Sequence, residues 1–111
     1  MKFKILFLII LLNNVIYSQE KEYLLSTVAF YNVENLFDTI DDPNNSWDEA
    51  RTPNGEDKWT DKKYNIKLNN LSELIPKIGF DVTNSHPEIV GLCEVENKQV
   101  LIDLISTGKM K

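Results

Sequence analysis

The sequence predicts a mixed α/β (α+β) fold built in the order strand, loop, helix, strand, helix. Three stretches carry that reading. Leu24 to Tyr31 is rich in β-branched and aromatic residues and has no Gly or Pro, which describes a strand. Tyr64, Leu68, Leu71, Ile75 and Ile78 recur every three or four residues and place one apolar stripe on a helix. Ile89, Val90, Leu92 and Cys93 form an apolar run behind Pro87 that is too short for a helix. It reads as a strand buried on both faces, as in a parallel sheet. A helix between two strands makes a right-handed crossover and parallel pairing the expected topology.

The chain has 111 residues, room for one small domain, and its start reads differently from the rest. Lys2 and Lys4 precede an apolar run from Ile5 to Leu12, and Ser18 supplies a small residue where cleavage is expected. This is the pattern of a signal peptide over residues 1–18. The apolar run is shorter than the ~20 residues that span a bilayer, so cleavage is favoured over an uncleaved anchor. No cysteine lies near the cleavage region, which argues against a bacterial lipoprotein. The expectation is an exported bacterial protein, periplasmic or secreted, with no stable membrane anchor after cleavage. Without residues 1–18 the chain keeps 10 basic and 17 acidic residues, a formal charge of −7. That balance argues against a broad nucleic-acid footprint within this piece, which would need clustered Lys and Arg. It suits a metal site better, although most of the acids are solvated surface.

After the signal, the first strand is expected to end near Tyr31 or Asn32. Asn32 then stands at a strand's carboxyl end, where asparagine also commonly starts a turn. Val33, Leu36 and Phe37 follow at spacings of three and four and read as a short helical turn over the core. Asp38 to Lys58 is a long acidic connection rich in Asp, Asn, Pro and Gly, read as a solvated loop beside a binding site. Asp42, Asn44 and Ser46 have the alternate spacing of a calcium loop. Trp47 stands where the glycine should be and Pro53 where the closing glutamate should be, so that reading fails. Trp47 either packs the loop down or stacks on a ligand, and packing is the favoured reading.

The helix is expected to start at Thr60 as cap, with Trp59 and Tyr64 at the two positions of a hydrophobic staple. Leu74 widens its stripe, Pro76 ends or kinks it, and Gly79 stops it. Phe80 to His86 then turns the chain into the second strand. Cys93, the lone cysteine, reads as a small core residue. Asn97 caps a last helix whose apolar face is Val100, Leu101, Leu104 and Ile105, closed by Gly108.

Glu94 and Glu96 arrive where the second strand's apolar run stops. Ligands of open α/β architectures bind beyond the carboxyl ends of strands, and a carboxylate there is costly to bury unless paired or metal-bound. Glu94 is equally placed to be the first solvated residue after a core strand. Parallel pairing would bring Asn32 and Glu94 to one rim. Mg²⁺ takes one or two protein carboxylates plus waters and substrate phosphate, a role that suits Glu94. Asn32 could hold a phosphate oxygen or help orient the metal's ligands. Glu96 is expected to support the site less directly, or to favour the next helix through its dipole. No P-loop, Gly-rich dinucleotide motif, CxxC or HExxH is present.

F-Y-N-V-E-N-L-F-D around Asn32 and E-I-V-G-L-C-E-V-E-N around Glu94 resemble the first two motifs of the endonuclease/exonuclease/phosphatase superfamily, the metal-dependent DNase-I-like group. The D-D-P, T-P-x-G and W-T pieces between them resemble secreted or periplasmic bacterial members. The resemblance runs from about Thr27 to Leu104. It implies a two-sheet β-sandwich flanked by helices, of which residues 19–111 form the amino-terminal part. It implies Glu94 as ligand of Mg²⁺ or Mn²⁺, Asn32 as the motif asparagine, and hydrolysis of phosphodiester or phosphomonoester substrates, nucleic acid among them. The superfamily's later motifs, an Asp–Asn pair and a near-terminal histidine partnered by aspartate, have no counterpart here. His86, the only histidine, precedes the metal-ligand strand and is expected in a loop. These residues alone are therefore expected to be an inactive fragment. The alternative is a small exported binding or structural module with no catalysis.

Overall fold

A computed structural model describes residues 22–111; the expected signal segment, 1–18, lies outside the described residues. Two strands, β1 (Val28–Leu36) and β2 (Ile89–Val95), pair in parallel. The connection between them carries a 3₁₀ turn at Glu49–Arg51, helix α1 (Asp61–Leu74), a second 3₁₀ turn at Ile75–Lys77 and a short helix α2 (Phe80–Thr83). Helix α3 (Lys98–Ile105) and a 3₁₀ turn at Gly108–Met110 follow β2. The strand-loop-helix-strand-helix order is thus observed, with α2 an addition inside the stretch expected to be a simple turn. Among the described residues no helix is long and apolar enough to cross a membrane.

The core lies between the helices and one face of the sheet. Val33 and Leu36 from β1, Tyr64, Leu68, Leu71 and Ile75 from the α1 stripe, and Val100 and Leu104 from α3 form one buried cluster. Leu74 and Ile105, at the margins of their stripes, are exposed. The Tyr64 hydroxyl donates to Asp103 Oδ2 at 2.8 Å and joins α1 to α3. Burial first, and then that carboxylate partner, hold the phenol well above its ordinary range. Thr60 occupies the cap position of α1 with extended backbone, but its hydroxyl makes no capping bond. Asn97 does cap α3: its Oδ1 accepts from Val100 N at 3.0 Å. Pro76 stands in the tight turn that ends α1. Gly79 follows with φ 73°, where an added Cβ would stand 2.6 Å from Thr27 Oγ1, so both backbone and space favour glycine.

Several expectations are corrected. Val33 to Leu36 continues β1 and is no helical turn. Their three-residue spacing comes from a break in the strand, described below, that imitates helical periodicity. β2 is not buried on both faces. Val90 and Leu92 pack toward the core, while Val28, Phe30 and Ile89 stand exposed on the other side, Phe30 at 85%. Cys93 shares that outer face and is exposed, not core. Trp47 is 78% exposed and packs nothing down. Trp59 takes the packing role, its indole N–H donating to Phe37 O at 3.0 Å.

Candidate functional site

Strand alternation sends Ala29, Tyr31 and Val33 of β1 inward and Val28, Phe30 and Asn32 outward. If alternation continued, Leu36 would face solvent, yet it is fully buried. Glu34 (φ 53°) and Asn35 (φ 61°) supply the shift: both adopt left-handed backbone and form a bulge between Asn32 and Leu36. β2 breaks at the same level. Leu92 and Val95, three apart, both pack on the core, and Glu94 between them has φ 61°. The two breaks swing Glu94 to the side on which Asn32 already stands.

The resulting geometry is closely connected. Asn32 Nδ2 donates to Glu94 Oε1 at 2.7 Å. The bulge supplies two more donors, Glu34 N to Asn32 Oδ1 at 2.7 Å and Asn35 N to Glu94 Oε2 at 3.1 Å. Left-handed backbone at non-glycine residues is costly, and three such residues meet at this one rim. From α1, the Lys67 ammonium donates to the carbonyls of Glu34 and Asn35. A groove of about 360 Å³ leads from Asn32 and Glu34 along Trp59, Lys63 and Lys67.

The family model described as Endonuclease/Exonuclease/phosphatase family matches residues 27–111, from the start of β1 through both motif asparagine and glutamate. The chain belongs to the endonuclease/exonuclease/phosphatase family. No curated protein and no solved structure matches it.

In this family member the two motif positions on which the resemblance rested are brought into direct contact, across 62 residues of sequence. Glu96 lies apart from that contact. Its Oε2 accepts from Asp38 N at 2.9 Å, tying the acidic connection to the end of β2. Burial raises the Glu96 carboxyl above its ordinary range; the Asp38 N–H opposes this, while the Asp38 and Asp48 carboxylates push the same way. Asp48 is 1% exposed, and its Oδ2 accepts from Asp42 N at 2.9 Å while its Oδ1 has no hydrogen-bond donor. His86 is in the loop before β2, as expected, with Nδ1 2.7 Å from Pro76 O.

Glu96→Gln is expected to stabilise the fold at neutral pH. The folded chain binds the Glu96 proton more tightly than the unfolded chain does. That contribution is therefore full below the ordinary carboxylate pKa and lost as pH rises through the raised value. A glutamine keeps an acceptor for Asp38 N and offers its amide N–H₂ to the Asp48 carboxylate. A gain on the order of 1 kcal/mol follows for one added hydrogen bond, or about 4 °C in Tm. Thermal melts at pH 4 and pH 7 check it; a lower Tm for the variant at pH 7 would overturn the reading.

A divalent cation can be tested against the donors present. Among the described residues no group of three or more His, Cys, Asp or Glu gathers into a cage. Mg²⁺ needs none, since it retains waters and accepts one or two carboxylates. Each Glu94 oxygen accepts one hydrogen bond here, and a carboxylate offers about four lone-pair sites. The donors fit one hard cation at the rim. Sequence reasoning missed Glu34, Asn35 and Lys67. The only available signal was Asn35, since asparagine tolerates left-handed backbone better than most residues.

Proposed function

We propose that the chain carries the metal-holding rim of a Mg²⁺- or Mn²⁺-dependent phosphoester hydrolase acting on phosphodiester or phosphomonoester substrates, nucleic acid among them. The observation that carries this reading is the Asn32–Glu94 contact, buttressed by bulge N–H groups, in a member of this family. Glu94 would hold the cation. Asn32, with one Oδ1 lone pair taken by Glu34 N, would orient Glu94 and offer its remaining lone pair to the metal or its waters. The cation, when bound, supplies stabilisation of charge on phosphoryl oxygen. Beside the rim, Arg51, Lys63 and Lys67 line a cleft of about 320 Å³ with Trp59, Glu34 and Asp57. Three cations against two acids, in a chain of net charge −5, favour an anionic ester at that spot.

The finer fold reading, a two-sheet sandwich with residues 19–111 as its amino-terminal part, is supported by the exposed apolar face of Val28, Phe30 and Ile89. Export with loss of residues 1–18 belongs to the same proposal and is read by intact mass of the exported protein; a mature chain still starting at Met1 would sink it.

The test is a Mn²⁺ titration of the full chain followed by electron paramagnetic resonance, with Mg²⁺ as competitor and bis-p-nitrophenyl phosphate as probe substrate. Saturable Mn²⁺ binding that Mg²⁺ displaces is expected. Turnover is not, because a hydrolytic water needs a base within reach and His86 is engaged with Pro76. Absence of any Mn²⁺ binding would remove the metal reading.

A further inference from the structure

We propose that Lys67 is a positioning residue for the Asn32–Glu94 pair, acting through the β1 bulge and not on the carboxylate itself. The inference rests on reading that pair as the metal-holding rim. Its observations are separate from the motif residues, since Lys67 lies in the middle of α1.

The peptide groups of Glu34 and Asn35 do two things at once. Their N–H groups face the site, one bonded to Asn32 Oδ1 and the other to Glu94 Oε2. Their carbonyls both accept from the Lys67 ammonium, that of Asn35 at 3.2 Å. The Glu34 carbonyl shares a peptide plane with the Asn35 N–H, so holding it aims that N–H at Glu94, and holding both carbonyls steadies the bulge whose Glu34 N–H bonds Asn32. The bulge needs such an anchor. Two consecutive left-handed non-glycine residues are intrinsically unfavourable and persist only where their surroundings determine them.

Lys67 can serve because it is itself held. Its ammonium lies 5.8 Å from the centre of the Trp59 ring, and Trp59 is pinned by its indole bond to Phe37 O. Leu68 and Leu71, one and four residues on, seat α1 in the core. No ion pair within 4 Å joins Lys67 to Glu94 among the described residues. Lys67 therefore acts through backbone carbonyls. Charge-assisted bonds of this kind are about twice as strong as neutral ones. Burial lowers the lysine's pKa from its ordinary value, with Glu34 and Glu94 opposing.

A positioning role and a purely electrostatic one predict opposite effects on metal binding. Removing a positive charge beside a cation site should tighten it by Coulomb's law. Removing the anchor of the bulge should loosen it, by about 10- to 100-fold, as when a partner that orients a ligand is lost. The experiment uses the full chain, Lys67→Met and Lys67→Arg, with circular dichroism to confirm retained helix. Amide hydrogen exchange of Glu34 and Asn35 is measured without metal, and Mn²⁺ affinity is measured separately. Lys67→Met should exchange both amides about tenfold faster or more and bind Mn²⁺ more weakly, and Lys67→Arg should restore most of both. Unchanged exchange, or Mn²⁺ affinity equal to or tighter than wild type in Lys67→Met, would overturn the proposal. Should wild type bind no Mn²⁺, the metal reading falls and the exchange comparison alone upholds or overturns the positioning role.

Discussion

Glu94→Gln is expected to weaken Mn²⁺ and Mg²⁺ binding by at least ~100-fold, the upper end of what losing a mere supporting residue costs. The change is close to isosteric. A glutamine Oε1 can still accept from Asn32 Nδ2 or Asn35 N, so the rim keeps part of its hydrogen bonding. What disappears is the negative charge and half of the acceptor capacity, the two properties a hard divalent cation recognises. Glu94 is exposed, so its neutral replacement should leave the melting temperature nearly unchanged. Paired Mn²⁺ titrations and thermal melts decide the matter. Wild-type affinity in the variant would mean that the cation sits elsewhere. A large fall in Tm would recast Glu94 as a structural clasp between the strands.

Leu36→Ala should cost about 2–5 kcal/mol, the range for a buried leucine reduced to alanine. Leu36 is 0% exposed and follows the bulge, and its carbonyl accepts from Glu96 N at 3.1 Å. The backbone there has little freedom to close over a cavity. Since a whole domain is stable by only 5–15 kcal/mol or so, such a loss removes a large share. Leu74→Ala, at a residue 42% exposed, is the control and should cost much less. Urea unfolding of both variants checks the pair. Equal losses would show that Leu36 does not anchor the core.

What the sequence made legible was whatever a single period or a single cap could signal. The α1 stripe, the Asn97 cap, the parallel pairing and the rim position of Asn32 and Glu94 all follow from local pattern plus topology. The bulge was not legible, for a definite reason. Two left-handed residues shift the strand's alternation by one, so Val33, Leu36 and Phe37 fall at the spacings of a helix. The exposed outer face was equally hidden. Phe30, Ile89, Gly91 and Cys93 are apolar or small, and composition does not say whether another layer covers them. Trp59 packs against the core as its staple position implied, whereas Trp47 does not, because its burial depends on the path of the connection around Asp48. That path is set by carboxylate hydrogen bonds to backbone N–H groups, such as Asp42 N to Asp48 Oδ2.

The long connection between the paired strands has a kinetic consequence. Asn32 and Glu94 meet only after the chain has closed a loop of 62 residues and docked α1 across it. Loop closure loses entropy before any contact repays it, and parallel pairings over such separations form slowly. The rim therefore cannot form before the step that sets the strand register. A cation that binds only the assembled rim would bind the folded state alone, and so favour it by mass action. Metal concentration during refolding would then control how much of the chain completes that step.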